Sequence, residues 1–312
     1  MSFRRMRAKL IFNPGSGAAG ESPVQLMDVI HAMQATQLEP EAYLVELGCN
    51  VHAMVRNALA DGIRMFVVCG GDGTIDVMAG TLAGTNATLG IIPTGTQNNV
   101  ALSLGIPSDI PAAIAILRTG RRIKVDLGLA SCGKLNTPFL EFCSVGLIST
   151  LFAAADDIQH GNLARIGDFL SALATSPPAE MHLVLDGKQE IDTMCHVLLV
   201  SNMPYIGPHF QTGTPASIND GLLDVLVFAD LSKMDLMGFA AQVAMTGIGP
   251  EDERIQQYRA RRVDVDTLPA MPVIADGVAL GDGPLRIRVR RRTLAVMVGD
   301  VTPAPLPARG DS

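Results

Sequence analysis

The sequence predicts two domains of different texture: an α/β domain on a parallel sheet over residues 1–125, then a mainly antiparallel β-sandwich domain over 126–298. Three observations carry this. Strand-like and helical segments alternate through the first 125 residues, the pattern of βαβ units with helices on both faces of a sheet. Beyond about Lys124 the chain turns to short strands separated by turn residues, with long helical stretches only near 149–175 and 232–246. The length, 312 residues, lies beyond the ~250–300 at which single hydrophobic cores stop growing. Residues 299–312 include the proline-rich "TPAPLPARGDS" and read as a disordered tail.

The elements follow from spacing and capping. "AKLIFN" (8–13) is an apolar strand that runs into "PGSG". "SPVQLMDVIHAMQA" places Val24, Met27, Ile30 and Met33 on one helical face, with Ser22 as N-cap and Pro23 at the first helical position. "EAYLVEL" (41–47) is a strand, and "NVHAMVRNALADG" is a helix capped by Asn50 and stopped by Gly62. Strand 64–69, helix 74–84, strand 87–93 and helix 97–105 complete the alternation. The second half offers "KVDLGLASCG", "LNTPFLEFCSVG", "MHLVLDGKQEI", "MCHVLLVSN", "GLLDVLVFADL", "RRVDVDT", "MPVIADG" and "PLRIRVRRRTLAVMV", with Asp186-Gly187 as a hairpin signal.

Composition narrows the function. Apolar residues make up 48% of the chain, enough for a sizeable core. The net charge of −7 argues against a nucleic-acid partner. Cys49, Cys69, Cys132, Cys143 and Cys195 are scattered, without CxxC spacing, and read as reduced thiols of a cytoplasmic protein. The histidines form no HxxxH or HxxH pair that would suggest zinc. No uninterrupted apolar run reaches the ~18 residues of a membrane-spanning helix. "MSFRRMRAKLIF" breaks at Asn13-Pro14 and reads as a first strand rather than a signal peptide. The oligomeric state stays open, a homodimer among the options.

Glycine-rich loops follow three strands of the first half: Asn13 to Gly17, Gly70 to Thr74, and Pro93 to Asn99. In a parallel sheet these strand ends share one edge, where ligands bind. Glycine lets backbone N–H groups approach a bulky anion, and the helix N-termini that follow add a favourable field. The set points to a phosphate or nucleotide site. None of the loops matches GxxxxGK[ST], and "GCNVHAMVRN" is no GxGxxG fingerprint.

"IFNPGSG", "VVCGGDGTIDVMAGTL" and "GIIPTGTQNNVALSLGIP" resemble the three N-terminal motifs of the diacylglycerol kinase/sphingosine kinase-type lipid kinases, in particular their soluble bacterial members. "VLLVSNMPYIGPHFQTGTPASINDGLLDVLVF" and "ADGVALGDGPLRIRVRRRTLAVMV" resemble the C-terminal segments of the same family, so the similarity runs from about residue 8 to 298. GGDG alone would also fit NAD kinases, which lack the PxGTxNN segment. The resemblance implies an NAD kinase/diacylglycerol kinase-like fold, ATP as phosphate donor, Mg²⁺ and a lipid acceptor. It implies ATP contacts at Asn13, Gly15, Ser16 and Gly17, and a phosphate cradle at Gly70, Gly71, Asp72, Gly73 and Thr74. Asp72 is expected near the metal-bound triphosphate, with Thr96 and Asn98 closing the pocket. A second-domain magnesium site falls on Ser217, Asp220 and the backbone of Leu222. "SINDG" is a tight, oxygen-rich turn of the kind a hard cation accepts, or a plain Asp-Gly turn.

The chain departs from the pattern at one position. The family's general base is usually the glutamate of an Asp-Gly-Glu triplet, and here the triplet is Asp276-Gly277-Val278. Valine accepts no proton. Phosphoryl transfer relies mainly on positioning and charge stabilisation, and general base catalysis contributes roughly 10²–10⁴-fold. Asp276 and Asp72 are the nearest substitutes and Asp282 a weaker one. Two other readings stay open: a non-catalytic nucleotide- or lipid-binding regulator, which Val278 favours, and a kinase of another hydroxyl compound such as NAD.

A lipid substrate implies contact with a bilayer. Arg286, Arg288, Arg290 and Arg292 alternate with Leu285, Ile287, Val289 and Arg291, so a strand lines them on one face. Arg259, Arg261 and Arg262 form a second cluster, and Arg4, Arg5, Arg7 and Lys9 a third. Such clusters suit peripheral docking on anionic lipid, steering of ATP, or a solvated strand face. "LISTLFAAADDIQHGNLARIGDFLSALA" is amphipathic and suits either a lipid entrance or a core-facing helix.

Overall fold

The computed structural model describes residues 5–17, 26–46, 48–147, 177–206, 210–211, 218–246 and 252–299. The predicted helix near 149–175, the N-cap Ser22 with Pro23, and Ser217 lie outside the described residues. The chain groups into two compact units, one of Met1–Lys124 with Leu294–Ser312 and the other of Val125–Thr293. The sequence reading places residues up to 298 in the second domain. The structure groups those from Leu294 with the first unit, where Ala295 and Val296 pair in parallel with Thr88 and Leu89.

The first unit runs β1 (Met6–Phe12), α1 (Leu26–Ala35), β2 (Leu38–Leu44), α2 (Val51–Ala60), β3 (Met65–Gly70), α3 (Asp72–Leu82), β4 (Thr88–Pro93), α4 (Asn99–Ser103) and α5 (Ile110–Thr119). The strands lie in the order β2-β1-β3-β4, and every pair is parallel. All six residues of β3 and of β4 are buried, as expected of central strands covered on both faces. Asn50 caps α2 through its side chain, which accepts from the Ala53 amide at 2.9 Å.

Three details differ from the sequence reading. The second strand lies at Leu38–Leu44, earlier than predicted, because Met6 to Phe12 pair with these residues in register. Helix α3 starts at Asp72, which takes that residue out of the loop and into the first helical turn. Helix α5 is additional, although its signals are plain: Asp109 accepts from the Ala112 amide at 2.9 Å, a proline follows in the first turn, and Gly120 ends it.

The second unit is antiparallel. Its strands, of which β5 begins and β17 ends in the first unit, are β5 (Arg121–Cys132), β6 (Leu135–Phe139), β7 (Phe142–Gly146), β8 (Ala179–Leu185), β9 (Gln189–Ser201), β10 (Tyr205–Ile206), β11 (Phe210–Gln211), β12 (Leu223–Ala229), β13 (Ile255–Ala260), β14 (Arg262–Leu268), β15 (Pro272–Ala275), β16 (Val278–Asp282) and β17 (Leu285–Val298). Helix α6 (Lys233–Thr246) follows β12. The main strand order is β16-β15-β7-β9-β8-β14-β17, with β12 paired to both β9 and β13. Asp186 and Gly187 turn β8 into β9 with φ values of 53° and 67°.

Side chains alternate across β9 and β12 as strand geometry requires. Leu198, Val200, Val225 and Val227 enter one core cluster, while Val197, Leu199, Leu226 and Phe228 enter another under α6. There Phe228 meets Phe239 edge to face at 5.1 Å. On β17, Leu285 and Ile287 are buried and Arg286, Arg288 and Arg290 are exposed. The alternation ends at Arg292, whose φ of 51° turns its amide onto Asp126. Among the described residues no helix is long and apolar enough to cross a membrane.

Candidate functional site

The three glycine-rich loops leave the ends of β1, β3 and β4 side by side, since Phe12 registers with Cys69 and Gly70 with Pro93. They interlock. The Asn13 side-chain amide donates to Thr74 Oγ1 at 2.9 Å, and Asn13 Oδ1 accepts from the Gly15 amide at 3.0 Å. Ser16 and Thr94 share a hydroxyl hydrogen bond of 2.8 Å, and the Thr94 amide donates to the Gly70 carbonyl at 3.1 Å. Gly71 and Gly95 touch backbone to backbone: a Cβ added at Gly95 would lie 2.5 Å from Gly71 Cα. Position 95 therefore has room for glycine alone. Asn98 closes the third loop from a left-handed conformation at φ 54°, accepting from the Gly95 amide at 2.9 Å and donating to its carbonyl at 2.8 Å.

Asp72 does something the sequence does not show. Its Oδ2 accepts from the Asn99 amide at 3.0 Å and its Oδ1 from the Val100 amide at 3.1 Å. From the first turn of α3 it therefore fastens the first turn of α4, tying the second loop to the third. Burial pushes its carboxyl above the ordinary value, against the opposing pull of the Val100 and Asn99 amides. Burial also raises the neighbouring Cys69 thiol to about 11, so it is no nucleophile at neutral pH. Gly15, Gly17, Gly73 and Thr96 form the exposed rim, and nothing lies within 4 Å of where a Gly73 side chain would begin. A fixed, side-chain-poor edge of this kind leaves room for a phosphate chain to reach backbone N–H groups.

In the second unit, the Asp276 carboxylate accepts from the backbone amides of Leu140, Glu141 and Phe142, at 2.5, 3.1 and 2.9 Å. It clamps the β6–β7 connection to the turn that joins β15 to β16. Val278 opens β16, half-exposed. Asp220 Oδ1 accepts from the Leu222 amide at 2.9 Å, and its Oδ2 is ion-paired with Arg259. Sequence reasoning missed Asp126, a fully buried carboxylate in the apolar strand β5. It accepts from the Gly221 amide at 2.7 Å and the Arg292 amide at 2.5 Å, and so fixes the Asp220-Gly221 turn. A lone aspartate in "KVDLGLA" was its only signal.

The basic clusters are less bare than the sequence suggests. Arg7 pairs with Glu41 at 2.7 Å and Arg5 with Glu39 at 3.5 Å, both partners on β2. Arg262 pairs with Asp264 at 2.8 Å.

The description "Diacylglycerol kinase catalytic domain" belongs to the family model that matches residues 7–130, and a "YegS C-terminal NAD kinase beta sandwich-like domain" model matches residues 144–298. A diacylglycerol kinase of Staphylococcus aureus (strain MRSA252) is 31% identical over 281 residues, covering 88% of this chain and 86% of the relative. The chain belongs to the diacylglycerol kinase family. The fold agrees: a diacylglycerol kinase structure from Bacillus anthracis str. Sterne superposes with a TM-score of 0.73 at 20% identity, covering 96% of this chain and 99% of the other. An NAD kinase from Archaeoglobus fulgidus, in complex with ATP, reaches a TM-score of 0.55 at 15% identity, covering 95% and 94%. The architecture is thus the family's α/β domain with a β-sandwich-like C-terminal domain.

Of the second-domain magnesium ligands that the resemblance implies, Ser217 lies outside the described residues and Asp220 is ion-paired with Arg259. Mg²⁺ demands oxygen ligands in near-octahedral order at about 2.1 Å. Both Asp220 carboxylate oxygens already face N–H donors, and one of those donors is the Arg259 guanidinium.

Proposed function

We propose that this chain is an ATP-dependent lipid kinase that transfers the γ-phosphate to a hydroxyl of diacylglycerol or a related long-chain lipid. The interlocked trio of loops at the ends of β1, β3 and β4 carries the reading, and the activity for which the relatives are named supports it. In this account Gly15, Gly17, Gly70, Gly71 and Gly73 bring backbone amides to the triphosphate. Asn13, Ser16, Thr74, Thr96 and Asn98 shape the pocket around it. Asp72 holds two loops in register, which makes it a positioning residue first. Mg²⁺ arriving with ATP would spread the charge of the transferring phosphoryl group.

The acceptor proton has no glutamate to receive it at position 278. With its carboxylate engaged by three backbone amides, Asp276 positions the turn rather than taking that proton. Catalysis then rests on alignment and charge stabilisation, which contribute most of the rate enhancement in phosphoryl transfer. Arg286, Arg288 and Arg290 on the outer face of β17 offer a peripheral contact for anionic lipid.

The Val278 departure also favours a second reading, a nucleotide- or lipid-binding regulator that performs no transfer. ATP consumption with and without a panel of lipid alcohols separates the two, with Asp72→Asn as the control for loop disruption. The kinase reading expects lipid-dependent consumption that falls in Asp72→Asn. Nucleotide binding with no consumption on any lipid would support the regulator.

A further inference from the structure

We propose that the guanidinium of Arg259 is the resident cation of the Asp220 turn, so that this turn forms and holds without a divalent ion. The antiparallel register of β12 and β13 sets Arg259 directly opposite Asp224. Asp224 is buried, with 3% of its surface exposed, and a buried carboxylate needs a paired charge. Arg259 Nε lies 3.2 Å from Asp224 Oδ1, and its terminal nitrogen Nη2 contacts Asp220 Oδ2. One planar fork thereby bridges two carboxylates from different nitrogens, a geometry that the point charge of lysine reproduces less well.

The turn itself is built to present Asp220 to that fork. Asp126 fixes the Gly221 amide at 2.7 Å, and Gly221 sits at φ 80°, where a side chain would strike Arg291. The remaining Asp220 oxygen takes the Leu222 amide at 2.9 Å. A magnesium ion at Asp220 would have to displace the Arg259 guanidinium. Arg259 therefore supplies the compensation that the family resemblance assigns to a metal.

The test needs neither nucleotide nor lipid, so its failure is distinguishable from failure of the kinase reading. Thermal unfolding of the full chain is followed in EDTA and in increasing MgCl₂. The wild-type midpoint is expected to be the same in both. Arg259→Gln is expected to lose several degrees in EDTA, while Arg259→Lys recovers only part of that loss because one ammonium replaces the fork. A saturable rise of the wild-type midpoint with Mg²⁺ that disappears in Asp220→Asn would overturn the proposal. So would an Arg259→Gln midpoint equal to wild type in EDTA. Should Arg259→Gln not fold, the wild-type and Asp220→Asn titrations still decide.

Discussion

Replacing Gly95 by alanine tests whether the three loops act as one device. The new Cβ would lie 2.5 Å from Gly71 Cα and 3.0 Å from Asn98 Oδ1. Carbon atoms rest about 3.5–4.0 Å apart, so the second and third loops must separate by about 1 Å. The obstacle is backbone, which cannot rotate away. Separation on that scale breaks the Thr94 amide to Gly70 carbonyl bond, now 3.1 Å. Overpacking at about 1–3 kcal/mol plus one lost hydrogen bond at about 1 kcal/mol gives about 2–4 kcal/mol, or about 30- to 700-fold weaker ATP binding. Isothermal titration with ATP measures it, and the unfolding midpoint reports any global damage. Gly73→Ala is the companion: its Cβ meets nothing within 4 Å, and alanine suits the first turn of α3 better than glycine. That variant should fold like wild type, so any loss of affinity would come from the ligand's approach. Wild-type ATP affinity in Gly95→Ala would refute the claim that this loop arrangement holds the nucleotide.

Other outcomes follow from single contacts. Burial, and after it the charge of Lys233, hold the His196 imidazole below its ordinary value. The fold accepts the neutral ring, so that share of stability is present above about pH 6.5 and is lost as pH falls through the lowered folded value. Urea midpoints measured between about pH 8 and about pH 5 should fall less in His196→Gln than in wild type. At Gly128 a Cβ would lie 2.0 Å from the ring of Phe139, its cross-strand partner. Gly128→Ala should therefore cost about 1–3 kcal/mol in urea unfolding, and an unchanged midpoint would contradict the packing described for β5 and β6. Val278 is half-exposed, so Val278→Glu should shift stability by less than about 0.5 kcal/mol. If the missing base limits the rate, the same change should raise lipid phosphorylation by about 10²-fold or more, and an unaltered rate would show that the proton is not limiting.

The parts legible in the sequence were those set by local pattern. Buried strands such as Val67-Val68-Cys69 read as continuous apolar runs, and glycine clusters after each strand marked one edge because parallel strands end together. Asn50 and Gly62 marked the limits of α2 by capping chemistry. What long-range contacts decide was not legible. Asp72 reads as a loop carboxylate until α4, some distance along the chain, is seen to offer it two amides. Asp126 reads as an interruption of an apolar strand until the Gly221 and Arg292 amides converge on it. The arginine alternation of β17 stops at Arg292 for the same reason, since its amide turns to satisfy Asp126. Asp276 stands out in its motif, but the three amides of residues 140–142 that its carboxylate accepts from lie far off in the chain.

The most direct measurement is transfer of label from γ-labelled ATP into the lipid fraction of vesicles containing diacylglycerol. A lipid kinase should yield labelled lipid that requires the protein and Mg²⁺-ATP and is strongly reduced in Gly95→Ala. Tight ATP binding with no label in diacylglycerol or any other lipid alcohol would contradict it.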